Sequence, residues 1–272
     1  MNRFAFALML VGCSSGPPAD DRTCLTRPDR RTVCGPPAVT LAANDAKGFV
    51  VDGSIDGKPA HLLVDTGAER TVLSAKLLGA EDQSGVISTF CAGDVCFRES
   101  VWAWDTLFSS DDPDGYNGFI GMSTLADLVV GVEPGDPTRI ELQARGDACS
   151  GTAVDLDYTD RGIPLGAGAI DGEAVTPLPI DSGSLYTTIG GAHAASLSTE
   201  TEDVSDATLC TVNGCDTRVS VGTFTGQFCL FDRCPSSVPV KYPVADVVGA
   251  SFLKQFRLDF DFPNHRLVFC DE

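Results

Sequence analysis

Histidine is nearly missing from this chain: His61, His193 and His265 are the only three in 272 residues, and they lie far apart. That leaves little for an imidazole zinc site, and no motif places an activating base beside a serine or cysteine nucleophile. Basic residues are also scarce, with 19 Lys and Arg against 38 Asp and Glu and a formal net charge of -19. Nucleic-acid binding needs clustered Lys and Arg to displace counterions, so that class of function is excluded, and anionic membrane surfaces are disfavoured. An acidic surface does suit solubility outside the cell. The apolar run near the start, Phe4 to Val11, falls short of the roughly 20 residues that a spanning helix needs.

Cysteine, by contrast, is plentiful. Eleven are too many for a reducing compartment. Met1-Asn2-Arg3, the short apolar run, and Leu10-Val11-Gly12-Cys13 before serines, glycine and prolines resemble a bacterial lipoprotein signal. The resemblance implies that residues 1–12 are removed, that Cys13 is lipidated, and that the protein is exported. Ser14 after the lipidated cysteine implies the outer membrane or the periplasmic face of the envelope. A generic export signal with an incidental cysteine is the alternative. Residues 13–37, rich in Ser, Gly, Pro, Asp and Arg, read as a flexible tether.

The ten remaining cysteines read as five disulfides. Spacing suggests Cys91 with Cys96, Cys210 with Cys215 and Cys229 with Cys234, leaving Cys24 with Cys34 and Cys149 with Cys270 as one of several possible connectivities. Zinc is the rival for such pairs, but the gaps enclose turn-like residues and histidines are few. No metal and no cofactor is expected.

Two apolar runs end alike, in His61-Leu62-Leu63-Val64-Asp65-Thr66-Gly67-Ala68 and in Pro177-Leu178-Pro179-Ile180-Asp181-Ser182-Gly183-Ser184. One Asp-Ser-Gly triplet alone would be an ordinary turn. These two sit at equivalent points of an internal duplication. Gly48 to Ile55 turns at Asp56-Gly57, and Ile163 to Ile170 turns at Asp171-Gly172, each a hairpin leading into the strand that delivers its aspartate. Then follow Thr71-Val72-Leu73 and Thr187-Thr188-Ile189, helix-compatible stretches (Ala75 to Ala80; Ala192 to Ser196), and cysteine-bracketed turns 26 and 29 residues after the aspartates. Phe119-Ile120-Gly121 and Val247-Val248-Gly249 open short helices (Ser123 to Leu128; Ser251 to Phe256). Each half ends in a strand pair: Leu128 to Val132 with Arg139 to Leu142, and Phe256 to Phe262 with Arg266 to Phe269.

This order resembles the retropepsin-like and pepsin-like aspartic peptidases over nearly all of residues 38 to 272. The resemblance implies a mostly β, two-lobed fold, with an N-terminal lobe at 38–148, a connector at 149–162, a C-terminal lobe at 163–272, and the active site in the cleft between lobes. It implies an aspartic endopeptidase acting on a peptide or protein substrate. One chain supplies both aspartates, so a monomer suffices.

Paired carboxylates close enough to share one proton make such chemistry possible. Asp65 and Asp181 are the expected catalytic pair, supported by Thr66, Gly67 and Ala68 and by Ser182, Gly183 and Ser184. The glycines leave room beside the carboxylates, and the family's equivalents of Thr66 and Ser182 bond across to the opposite lobe. A bond from Ser184 to the outer oxygen of Asp181 would make Asp181 the base and Asp65 the proton carrier. The turns at Ala92, Gly93, Asp94 and Val95 and at Thr211, Val212, Asn213 and Gly214 are the flap candidates, with hairpins stapled by disulfides as the plainer reading. No tyrosine stands near the first turn, which departs from the pepsin pattern. Asp111 to Asn117 fits no EF-hand spacing and reads as a solvated acidic turn. Leu230-Phe231 reads as packing. Pro177 and Pro179 sit poorly in a central strand. If they distort the second loop, a non-catalytic peptide-binding lipoprotein is the alternative function, and a purely structural envelope lipoprotein is a third.

Overall fold

The computed structural model describes residues 24–26, 31–44, 48–105, 115–144, 146–190, 201–211, 214–224, 227–235, 240–242 and 245–271, with 201–211, 214–224 and 240–242 described by backbone alone. The chain is mostly β, as expected. Its first part forms β1 (Cys24–Thr26), β2 (Thr32–Cys34), β3 (Ala38–Ala42), β4 (Val50–Ile55), β5 (Lys58–Val64), β6 (Val72–Leu73), α1 (Ala75–Leu78), β7 (Gln83–Ala92), β8 (Val95–Ala103), β9 (Gly118–Ile120), α2 (Met122–Leu125), β10 (Val129–Glu133) and β11 (Arg139–Gln143). The second forms β12 (Gly151–Asp155), β13 (Asp157–Tyr158), β14 (Pro164–Ile170), β15 (Glu173–Pro179), β16 (Thr187–Thr188), β17 (Thr201–Thr211), β18 (Gly214–Phe224), β19 (Phe228–Leu230), β20 (Val240–Tyr242), α3 (Ala250–Leu253), β21 (Leu258–Asp261) and β22 (Arg266–Cys270).

The two Asp-Gly turns explain the first strand pair of each half. Asp56 and Gly57 have φ of 47° and 78°, and Asp171 and Gly172 have 49° and 84°. Positive φ at both central residues matches the twist of a two-residue hairpin, and Asp-Gly tolerates it best. From β4 the first half closes a ring, β4-β5-β9-β6-β8-β7 and back to β4, a six-stranded barrel. Phe90 and Phe97 stack inside it at 5.2 Å between centroids. The second half repeats the pattern. β14 pairs with β15 and β19, β16 runs parallel to β20, and single bridges join Ile180 to Val248 and Thr188 to Val247.

A six-stranded sheet, in the order β12-β22-β21-β10-β11-β3, takes three strands from each half and joins them at the β21–β10 ladder. Its inward face carries Val130, Val132, Leu258 and Phe260, all buried. The stretch 149–162, expected as a connector, supplies β12 and β13, because Gly151 to Asp155 pairs along β22. The described residues of 13–37, 24–26 and 31–37, are likewise more than a tether. β1 and β2 form a disulfide-closed hairpin that docks on β8, and Arg31 anchors it through the Ser123 carbonyl and Asp127 at 3.4 Å.

The sulfurs of Cys24–Cys34, Cys91–Cys96, Cys149–Cys270 and Cys229–Cys234 are bonded. Cys210 and Cys215 face each other in register, and their side chains lie outside the described residues. The same holds for the expected helix at Ala192 to Ser196. The two helices expected after Gly121 and Gly249 begin one residue early and are one turn long.

Phe260 is 1% exposed and stacks on Phe262 at 5.3 Å in the strand that joins the halves. Truncating it to Ala should cost about 3–5 kcal/mol, read as a lower urea midpoint at unchanged slope. A loss under about 1 kcal/mol would show that this layer adds little.

Candidate active site

β5 and β15 each run apolar to their last residue, then release the chain into a tight loop. Asp65 and Asp181 open those loops, and their amides are held by the neighbouring parallel segments, at 3.0 Å to the Ile120 carbonyl and 2.9 Å to the Val248 carbonyl. Asp65 Oδ1 accepts from the amides of Gly67 (2.9 Å) and Ala68 (3.0 Å). Asp181 Oδ1 accepts from those of Gly183 (2.9 Å) and Ser184 (3.1 Å). The loops are equivalent bond for bond.

Thr66 and Ser182 then cross between the halves. Thr66 Oγ1 donates to the Ile180 carbonyl at 2.7 Å and accepts from the Ser182 amide at 2.9 Å. Ser182 Oγ donates to the Val64 carbonyl at 2.7 Å and accepts from the Thr66 amide at 3.0 Å. Both residues are buried, and each hydroxyl uses its donor and an acceptor position. An alanine at either site would strand two backbone groups, each costing about 1–3 kcal/mol.

The same crossing brings the acids together. A Cβ built on Gly67 would come 2.2 Å from Cγ of Asp181, and one on Gly183 would come 2.4 Å from Cγ of Asp65. Each carboxyl therefore lies against the opposite glycine, so neither position can carry a side chain. The two carboxyls lie close enough for a shared hydrogen bond to bear on the titration of each. Burial, the charge of Asp181 and the shared bond hold Asp65 well above the usual carboxylate range, only partly offset by the Gly67 and Ala68 amides. Burial also raises Asp181, but the bond from Asp65 and the amides of Ser184, Gly183 and Gly67 pull it back. Of the two, Asp65 is raised the further, so a proton shared by the pair favours Asp65.

The bond expected to set that polarity is not made. The Ser184 hydroxyl donates to the Tyr186 carbonyl at 2.8 Å rather than to Asp181. The expected distortion by Pro177 and Pro179 is not seen either. A register shift in the β14–β15 ladder between Gly166 and Gly168 accommodates the strand, and the Asp181 loop keeps the geometry of its twin.

A second tier of polar residues holds each loop from behind. Gly121 N donates to Thr71 Oγ1 at 3.1 Å and Thr71 N to Ser123 Oγ at 2.9 Å. Gly249 N donates to Thr187 Oγ1 at 3.1 Å and Thr187 N to Ser251 Oγ at 2.9 Å. Met122 N and Ala250 N reach the carbonyls of Ala68 and Ser184, both at 2.8 Å. Sequence reasoning missed these residues, although the repeated Gly-X-Ser at 121–123 and 249–251 signalled them.

Beyond the loops the halves differ. Glu69 and Arg70, ion-paired at 3.3 Å, occupy the positions that Leu185 and Tyr186 occupy in the other half. Tyr116 has its phenol raised by burial and then by the Asp65 charge, and its ring packs on Phe119 at 5.7 Å between centroids. It lies in the stretch read as a solvated acidic turn, of which residues 111–114 are outside the described set. The segment is pinned by Asn117, whose amide donates to the His61 carbonyl at 2.7 Å while its Oδ1 accepts from the His61 amide at 2.9 Å.

The first flap candidate is corrected. Ala92 and Val95 are fully buried, and Gly93 lies against Leu41 and Val39 of β3. Its true counterpart is the Cys229–Cys234 turn. Phe90, Cys91 and Ala92 face Ile55, Ser54 and Gly53 as Phe228, Cys229 and Leu230 face Ile170, Ala169 and Gly168. Leu230 is buried and Phe231 half-buried against the core, so that pair is packing. The β17–β18 hairpin, which carries Thr211 and Gly214, has no counterpart among the described residues of the first half, where β7 starts soon after α1. Val212 and Asn213 lie outside the described residues. Among those residues the one metal-like cluster is Cys149, Asp259 and Cys270, and its sulfurs are spent in a disulfide.

No family model matches this chain, and no curated protein matches it either.

A carboxyl raised above its unfolded value of about 4 stabilises the fold below that pH and loses its contribution as pH climbs through the folded value. Asp65→Asn, which mimics the protonated acid, should therefore gain stability over wild type at pH 7 and show no gain at pH 3, by urea unfolding. An equal difference at both pH values would mean that Asp65 is not raised.

Proposed function

We propose that this chain is an aspartic endopeptidase with two lobes, 38–148 and 163–272, and a substrate cleft between them floored by Asp65 and Asp181. The observation that carries this reading is the approach of two carboxyls delivered by equivalent loops, each lying against the other loop's glycine and each shifted by the other. Ionised Asp181 takes a proton from a water between the two acids as the water oxygen attacks the scissile carbonyl carbon. Asp65 gives its proton to the carbonyl oxygen. The resulting gem-diol then collapses, a proton passes to the peptide nitrogen, and acid and amine leave with the dyad restored to one proton. No covalent intermediate forms.

The β17–β18 hairpin is the remaining flap in this reading, folding over bound peptide to exclude water. The enzyme is exported and anchored in the cell envelope through Cys13, at the outer membrane or the periplasmic face, and needs neither metal nor cofactor for the step above. Support for the anchor is the short apolar run ending at Cys13.

A peptide-library digest across pH tests the assignment. Wild type should cleave, and Asp65→Asn and Asp181→Asn should each lose roughly 10²–10⁴-fold or more while remaining folded. A folded wild type that binds peptides and never cuts would replace this reading with a binding module. Because the Ser184 hydroxyl bonds Tyr186 and not the dyad, Ser184→Ala should leave the acid limb of the pH–rate profile in place. A displaced limb would show that this hydroxyl bears on Asp181.

A further inference from the structure

Four cysteines stand in one row across four neighbouring strands. Cys24 faces Cys34 in the β1–β2 ladder, Cys34 faces Cys96 in β2–β8, and Cys96 faces Cys91 in β7–β8. Directly opposed residues of antiparallel strands share a face of the sheet. The Cys24–Cys34 and Cys91–Cys96 disulfides therefore lie side by side, with Cys34 and Cys96 as neighbours between them.

The bonded pairs have Cα atoms 4.1 and 4.0 Å apart, the close spacing of non-hydrogen-bonded pairs. A residue that faces one neighbour in that manner faces its other neighbour as a hydrogen-bonded pair, with Cα atoms about 5.5 Å apart. That value lies well within the range a disulfide spans. Cys24 is exposed and the other three are half-buried, so the row is open to a soluble thiol.

We infer that this row is an intramolecular thiol–disulfide exchange site, at which the two native disulfides give way to a single Cys34–Cys96 bond between the N-terminal hairpin and the barrel. An external dithiol starts the sequence. Its thiolate attacks Cys24 Sγ, forming a mixed disulfide and releasing Cys34 as thiolate. The reagent's second thiol then frees Cys24, leaving the reagent oxidised and Cys24 reduced. Cys34 Sγ attacks Cys96 Sγ, the Cys91–Cys96 bond breaks, and Cys91 leaves as a thiolate that takes up a proton. This last step is redox-neutral, exchanging one protein disulfide for another.

The exchange changes what is tied to what. The native bonds close loops with separations of 10 and 5 residues, each within one hairpin. Cys34–Cys96 spans 62 positions and fastens β2 to β8, where the described residues otherwise hold the hairpin by a three-residue ladder, buried Val33 and Arg31. Longer loops constrain the unfolded chain more. Mild reduction therefore fastens the amino-terminal hairpin covalently to the barrel.

The test is peptide mapping by mass spectrometry, without reductant and after rapid alkylation of free thiols, on the full chain. Cys24→Ser leaves Cys34 unpaired and should yield a Cys34–Cys96 peptide with Cys91 alkylated. Cys91→Ser, which frees Cys96, should converge on the same bond with Cys24 alkylated. Wild type briefly exposed to limiting dithiothreitol covers the case in which a variant does not fold, and its dominant non-native pair should again be Cys34–Cys96. Alkylated Cys34 beside an intact Cys91–Cys96 bond in Cys24→Ser, or loss of the two native disulfides in wild type without any Cys34–Cys96, would overturn the inference.

Discussion

Thr66 and Ser182 exchange four hydrogen bonds across the junction of the two halves, and the rest of the site takes its position from that exchange. Each bond contributes only about 1 kcal/mol net, so the network matters less for total stability than for geometry. It fixes the spacing of the two loops. Any rotation of one half against the other would leave buried carbonyls and amides unpaired, and would pull each carboxyl off the glycine that accommodates it.

The approach of like acids follows from that lock. Two carboxylates in contact cannot both ionise at low cost, so the fold imposes a shared proton. Near-symmetric loops would leave the choice of carrier open. Donor amides favour the charged form, and Asp181 faces those of Gly183, Ser184 and Gly67, whereas Asp65 faces those of Gly67 and Ala68. The asymmetry continues outward, with Glu69 and Arg70 on one side and Leu185 and Tyr186 on the other. Near-identical backbones thus present different chemistry at matching points.

What was legible in the residues was local or repeated. Asp-Gly turns, apolar runs ending in aspartate, the closing strand pairs and short-range cysteine spacing each reflect a nearby physical rule, and each is found in the fold. The failures are tertiary. Spacing alone matched the Cys91 turn with the Cys210 turn, since the inserted β17–β18 hairpin lies at a similar distance from its aspartate, and only ladder register identifies Cys229–Cys234 as the counterpart. The helices after Gly121 and Gly249 start early because Met122 and Ala250 are held by the loop carbonyls of Ala68 and Ser184. β1 and β2 have little apolar content, and a disulfide and docking on β8 give them order. Tyr116 feels the Asp65 charge from a segment that Asn117 hooks onto β5.

The central claim is that Asp65 and Asp181 hold one proton between them because they touch. Carboxyl ¹³C NMR of the two side chains, followed across pH, addresses it without reference to any substrate. The account predicts coupled titration, with the Asp65 carbon still reporting a protonated acid at pH values where ordinary aspartates have long ionised. Two independent titrations near pH 4, the usual aspartate value, would contradict it.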